Sequence, residues 1–328
     1  MKILSACKRL IALISKRSLL YLFVLFCFEL ILFSYIVVKI IYFTPRVRFT
    51  QADLAVFETN VINSSGAEYD LVNSDLSTEE DFTSLEQQII EVIGSETNKY
   101  GVYIQDISTG RELKLNSQKS FHPASIYKVP LAMVILKDVD AGRLSLDQQV
   151  LVTSNEKIYD FDALSQRSGN YNISLNELLT YLIRDSDNTA MTTLEHRFGG
   201  VTLLQKRMRE ELGFSDVSRL PAHTNADAIG QVFQALYSQN QLSPASSQYL
   251  LDLLKTTYFN DRIPAGVPEG IVVAHKIGTL DRTYQDAGIV YGSKHTYILV
   301  VLNGDITPQN GREKIAQISS LVYEFLNK

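Results

Sequence analysis

The chain has 328 residues, 45% of them apolar, with 31 Lys and Arg against 36 Asp and Glu, for a net charge of −5. That is enough apolar material for a large domain whose core suffices by itself. The charge is unevenly spread. Up to Arg48 there are eight basic residues and one acid, Glu29, giving +7, so the remainder carries −12, which disfavours nucleic acid or an anionic membrane surface as its partner.

Residues 1–18 read as a basic cytoplasmic tail and residues 19–43 as a transmembrane anchor. The twenty residues 19–38 contain a single charge, Glu29, and at about 1.5 Å per residue they cross a hydrocarbon core of roughly 30 Å. Five basic residues precede this stretch and an acidic segment follows it. This places the N-terminus in the cytoplasm and the rest outside, as a single-pass cell membrane protein. No small-x-small site follows the stretch, and Phe26 stands before Cys27, so neither a cleaved export signal nor a lipoprotein signal is expected. Glu29 is either a tolerated charge in a strongly apolar helix or the mark of a helix partner. Both cysteines, Cys7 and Cys27, fall in this region, so the exported part must fold without disulfides.

Residues 44–82 form an acidic polar linker; from 49 to 82 there are eight acids and no base. A domain is expected over residues 83–328. Thr83 and Glu86 make a capping box ahead of Leu85, Ile89, Ile90 and Ile93. Residues 101–106 and 112–115 flank the turn Ser108-Thr109-Gly110 as a hairpin. The run from Ile126 to Leu136 is apolar almost all round, which suits a buried helix with Ser125 at its start. Ser174 and Glu177 cap a Leu-rich helix that ends where Ser186 begins a loop, and Thr224 with Asp227 starts another. Apolar β-branched runs at 271–275, 288–291 and 296–302 read as strands, and Ile315, Ile318, Val322, Phe325 and Leu326 stripe a closing helix. Strands at both ends with helices between them predict an α+β domain, one antiparallel sheet assembled from the two ends beside a helical lobe.

Three short motifs lie in this domain: Ser125-Ile126-Tyr127-Lys128, Ser186-Asp187-Asn188 and Lys276-Ile277-Gly278-Thr279. A serine hydroxyl is a poor nucleophile near neutral pH and needs a proton acceptor. Lys128 lies one helical turn from Ser125, on the same face, and burial near a second cation would free its amine to act as that acceptor. The five histidines, His122, His196, His223, His275 and His295, lack ligand spacing, so neither a metal site nor a cofactor is expected.

On these motifs, on Gly199-Gly200, and on the flanking stretches Ala274-His275-Lys276 and Asp286-Ala287-Gly288-Ile289-Val290-Tyr291, residues 84–328 resemble the penicillin-recognising serine enzymes, most of all the class A β-lactamase domain. The resemblance implies an active-site serine hydrolase with no cofactor. Ser125 would be the nucleophile and Lys128 its base. Ser186 would relay the proton to the departing nitrogen, with Lys276 holding Ser186 and attracting the substrate carboxylate. Asn188 would bind the acyl side chain. Gly278 and Thr279 would line the substrate groove, and the N–H groups of Ser125 and Thr279 would form the oxyanion hole. The family often presents an aromatic ring before the second motif, where this chain has Tyr159 and Phe161.

Two departures bear on activity. Class A enzymes carry a Glu, between the second and third motifs, that activates the deacylating water. Here no Glu occurs between Glu211 and Glu269, and the interval up to His223 is short by comparison. Glu156, Asp160, Asp162 and Asp216 are the acids to examine in its place. Ile277 also stands where the family has a hydroxyl, and Thr279, two residues along a strand and so on the same face, is the nearest substitute. The implied substrates are β-lactams or D-alanyl-D-alanine-type amides of peptidoglycan stem peptides. A D-alanyl-D-alanine peptidase and a cell-envelope penicillin-binding sensor with little turnover stand as alternatives to a hydrolytic β-lactamase.

Overall fold

The computed structural model describes residues 77–159, 162–213 and 223–328. The expected anchor, most of the linker, Asp160, Phe161 and Asp216 lie outside these residues. Among the described residues no helix is long and apolar enough to cross a membrane.

The first helix, α1, runs Ser77–Ile93, so Thr83 lies inside it rather than at its start. Leu85, Ile89 and Ile93 recur at helical spacing and are buried. After it come β1 (Tyr100–Asp106) and β2 (Glu112–Leu115), the expected hairpin. A 3₁₀ turn, Ala124–Tyr127, leads directly into α2 (Lys128–Asp140). Two short strands, β3 (Gln149–Val152) and β4 (Tyr171–Ser174), pair with each other. Four helices follow: α3 (Leu175–Ile183), α4 (Asn188–Arg197), α5 (Gly200–Leu212) and α6 (Ala226–Ser238). The domain closes with α7 (Pro244–Leu254), β5 (Val272–Leu280), β6 (Thr283–Tyr291), β7 (Thr296–Asn303) and α8 (Pro308–Asn327).

The main sheet has the order β2-β1-β7-β6-β5, with every pairing antiparallel. The two ends of the domain therefore meet at β1 and β7, as the strand pattern predicts. Both faces of the sheet are covered. On one face α1 and α8 pack over Val102, Ile104, Leu299 and Val301, with Phe82 meeting Phe325 edge to face at 5.3 Å. On the other the helical lobe packs around α2, whose residues from Lys128 to Leu136 are all buried. Burial on both faces explains why residues 100–104 of β1 and 297–302 of β7 are apolar throughout rather than alternating.

Local chemistry places two helix starts. Ser174 Oγ accepts from Glu177 N at 3.1 Å, one half of the expected capping box, while the Glu177 carboxylate pairs with Arg167 at 2.8 Å. For α6 the cap is Asn225, whose Oδ1 accepts from Ala228 N at 2.8 Å, and not Thr224. Thr224 instead pairs its backbone with Phe121 in an isolated bridge. A β-branched residue fits an extended bridge well, and the neighbouring Asn is the better cap.

Candidate active site

The nucleophile candidate sits at a strained joint. Ala124 has φ +47 and Ser125 follows it in the 3₁₀ turn, which puts Ser125 at the head of α2 but outside its regular hydrogen bonding. The joint is held against β5 and β6 from behind. Gln285 Nε2 donates to His122 O at 3.0 Å and to Asn303 O at 2.9 Å. Gly278 lies so close that a Cβ there would stand 2.8 Å from Pro123 O. Glycine is therefore required for strand and turn to touch.

Lys128 is fully buried as the first residue of α2. Its Nζ donates to Asn188 Oδ1 at 2.8 Å, to Ser186 Oγ at 3.4 Å and to Ser186 O. Among the described residues it makes no hydrogen bond to Ser125. Burial lowers its pKa to about 8, against the opposing pull of Asp162, Asp187 and Glu195.

Ser186 adopts a left-handed backbone, φ +59, in the loop between α3 and α4. Two acids hold that loop. Asp187 Oδ1 caps α4 by accepting from Ala190 N at 2.8 Å, and its Oδ2 accepts from Leu164 N at 3.0 Å. Asp162 Oδ2 accepts from Asn188 N at 2.8 Å and Thr189 N at 3.0 Å. Negative charge at this helix start is favourable, and it fixes the directions of Ser186 and Asn188.

From the edge strand β5, Lys276 Nζ donates to Ser186 Oγ at 2.7 Å and to Ile277 O at 3.3 Å. Lys276 is fully buried, and burial together with the charge on Lys128 pushes its amine well below the ordinary range, with Asp286 opposing. Two lysines thus converge on one hydroxyl. With both amines held below their usual range, protons can pass between Lys128, Ser186 and Lys276 at small cost.

These elements enclose one cleft of about 440 Å³, lined by Ser125, Ser186, Asn188, Ile277 and Thr279 among others. Lys128 and Lys276 are buried behind its wall. The structure therefore brings together every motif residue singled out from the sequence. Ile277 and Thr279 share the cleft face, as their spacing requires.

Other expectations are corrected. Tyr159 is exposed and does not line the cleft, Phe161 lies outside the described residues, and among those described the aromatic ring that lines the cleft is Phe259, after α7. Glu156 is committed elsewhere, accepting from Thr153 N at 2.8 Å and pairing with Arg197 at 3.1 Å. Of the four acids considered as a replacement base, Asp162 is the one among the described residues that lines the cleft.

Arg262 was not foreseen. It is buried beside β5, where its Nη1 donates to Gly278 O at 3.0 Å and its Nη2 to Thr279 Oγ1 at 2.6 Å. Its loop is pinned by the fully buried Asp286, which accepts from Ile263 N at 3.0 Å and from His275 Nδ1 at 2.9 Å. No motif announces Arg262, which stands beside Asp261 in an irregular stretch before the third motif.

Residues 84–326, almost the whole described region, match the model of the β-lactamase enzyme family. The chain belongs to that family. It is accordingly a serine hydrolase. It is 24% identical over 267 residues to the extended-spectrum β-lactamase PER-1 of Pseudomonas aeruginosa, covering 74% of this chain and 87% of that one. Among solved structures it is similar to a β-lactamase from Chitinophaga pinensis, at 26% identity and TM-score 0.69, covering 74% of this chain and all of that one. A mutant of PBP-A in an acyl-enzyme complex with penicillin G is likewise 26% identical, with TM-score 0.68, covering 74% of this chain and 96% of the other. Within this β-lactamase-family domain, Arg262 and Asp162 join the residues that shape the cleft.

Proposed function

We propose that this β-lactamase-family hydrolase forms an acyl-enzyme on Ser125 with β-lactams or with D-alanyl-D-alanine-type amides. The observation that carries the reading is the Ser186 hydroxyl shared by two buried lysines in the cleft that also holds Ser125. Ser125 Oγ bonds to the substrate carbonyl carbon as its proton passes to neutral Lys128. The carbon–nitrogen bond then breaks, and Ser186 hands a proton to the departing nitrogen. The N–H groups of Ser125 and Thr279 receive the developing oxyanion. Thr279, oriented by Arg262 at 2.6 Å, supplies the hydroxyl that Ile277 lacks, with Lys276 and Arg262 giving the positive field for the substrate carboxylate. Asn188 binds the acyl side chain.

Deacylation is slow in this reading, because no Glu occurs between Glu211 and Glu269 to activate water. Losing a general base worth 10²–10⁴ raises that barrier by roughly 3–5 kcal/mol. The same absence favours a second reading, a D-alanyl-D-alanine peptidase acting on peptidoglycan, and a third, a penicillin-binding sensor with little turnover. The charge asymmetry about residues 19–43 supports a single-pass membrane protein with residues 83–328 outside the cell.

An intact-mass time course of the full chain with a penicillin tests the assignment. One adduct of the mass of the penicillin, persisting for minutes and lost in Ser125→Ala, is expected. Labelling that survives in the Ala variant refutes Ser125 as nucleophile. Turnover too fast for an adduct to accumulate refutes slow deacylation.

A further inference from the structure

Below the cleft, the elements that join Lys128 to Asn188 make a second polar contact that the acylation scheme does not use. Tyr127 Oη donates to Glu195 Oε1 at 2.9 Å, and both side chains are buried. Tyr127 precedes Lys128 in the chain. Glu195 follows Asn188 by seven residues on α4, two turns along the same helix face. The head of α2 and the body of α4 are thus tied by two rungs, Lys128 to Asn188 at 2.8 Å and Tyr127 to Glu195. An apolar pair would fill the lower rung without burying a carboxylate, so the acid is a costly choice for packing alone.

The charged groups around this ladder are few. Lys128 faces Asp162 from the segment between β3 and β4, Asp187 from the head of α4, Glu195 from its body and Lys276 from β5. Glu195 faces Tyr127, His196 and Lys128. Asp162 and Asp187 are each committed to two backbone N–H groups at a helix start. Glu195 has no such backbone duty among its described hydrogen bonds; its described partner is the Tyr127 hydroxyl. Burial raises its pKa, while the Tyr127 hydrogen bond, His196 and Lys128 favour its charged form.

We propose that Glu195, held by Tyr127 in the rung below Lys128 and Asn188, is a positioning residue whose negative charge joins that of Asp162 and Asp187 in holding the proton on Lys128. An anionic Glu195 holds that proton more firmly, so removing its charge makes Lys128 a neutral base at lower pH. The consequence for catalysis rests on the acylation reading above; the effect on Lys128 does not.

The test is a ¹³Cε-lysine NMR titration of the full chain in detergent, with the Lys128 signal identified by its loss in Lys128→Arg. Glu195→Gln is expected to lower the Lys128 midpoint by about 0.5–1 pH unit. Glu195→Asp, which keeps the charge, should return most of that shift; a purely structural role would not order the variants this way. The double variant Tyr127→Phe with Glu195→Leu removes the charge without orphaning the hydroxyl, and it should shift the midpoint down by a similar amount even if Glu195→Gln fails to fold. A Lys128 midpoint unmoved in whichever charge-removing variant folds overturns the proposal. The acid limb of penicillin acylation should move with the midpoint. Absence of any adduct in the wild-type chain would instead sink the acylation reading, while the NMR titration still decides the role of Glu195.

Discussion

Two buried lysines on one serine hydroxyl set the electrostatics of the cleft. A charged amine in so dry a place is expensive, and burial is the leading reason that Lys128 titrates near 8 rather than 10.5. The sign follows for both activity and stability. Below about pH 8 Lys128 is protonated in the folded chain and cannot take the Ser125 proton. The acylation rate constant should therefore rise about tenfold per pH unit from pH 6 and level off above 8. Rates read from adduct mass over pH 6–9 check this, and a flat profile below 8 removes Lys128 as the base. Because the folded pKa lies below the unfolded one, the burden on stability is fully present below pH 8 and is relieved as pH rises towards 10.5. It amounts to about 3 kcal/mol at most.

At the scale of elements, the site depends on how closely β5 lies against the turn that carries Ser125. Gly278 permits that contact: a methyl group there would meet a backbone carbonyl at 2.8 Å, which cannot move aside as a flexible side chain could. Gly278→Ala should therefore push β5 away and separate the Ser125 and Thr279 amides. The expected cost is about 1–3 kcal/mol of stability and about 10²-fold in acylation rate. Thermal melting and adduct kinetics measure the two effects, and wild-type values for both would mean that the strand is free to shift. The start of α4 is the second dependency. Asp162→Ala removes the acceptor for Asn188 N and Thr189 N, and a loss of about 1–2 kcal/mol is expected from thermal unfolding. No change in melting would show that Asp187 caps the helix alone.

For the molecule as a whole, the cleft opens where the edge of the sheet meets the helical lobe, so residues far apart in sequence converge there: Ser125, Ser186 and Thr279 line one cleft. The acidic net charge of the domain disfavours binding to anionic lipid. If the anchor at 19–43 is uncleaved and the domain lies outside, protease added to intact cells should release a soluble fragment by cutting within residues 49–76, ahead of α1. Gel analysis of the supernatant reads the result. Protection of the domain, or a mature protein lacking residues 1–38, contradicts this topology.

Much of the α+β frame was legible because it rests on local periodicity: the hairpin of β1 and β2, the Ser174 cap, the all-apolar α2 and the strands near the C-terminus each follow from spacing and residue type within one segment. The three motifs were legible for the same reason, since each lies within four consecutive residues. Glu195 and Arg262 were not, nor were the structural roles of Asp162 and Asp286, which the sequence singled out on other grounds. Each acts through a partner distant in the chain, as in Tyr127 to Glu195 or Arg262 to Thr279, and no local period or motif marks such a partner. By itself the sequence determined which residue types could perform the chemistry and in what order they occur. The tertiary structure alone decided that Lys128 and Lys276 share the Ser186 hydroxyl, that Phe259 rather than Tyr159 lines the cleft, and that buried acids surround the base. Burial and electrostatic coupling arise only when separate segments pack and exclude water.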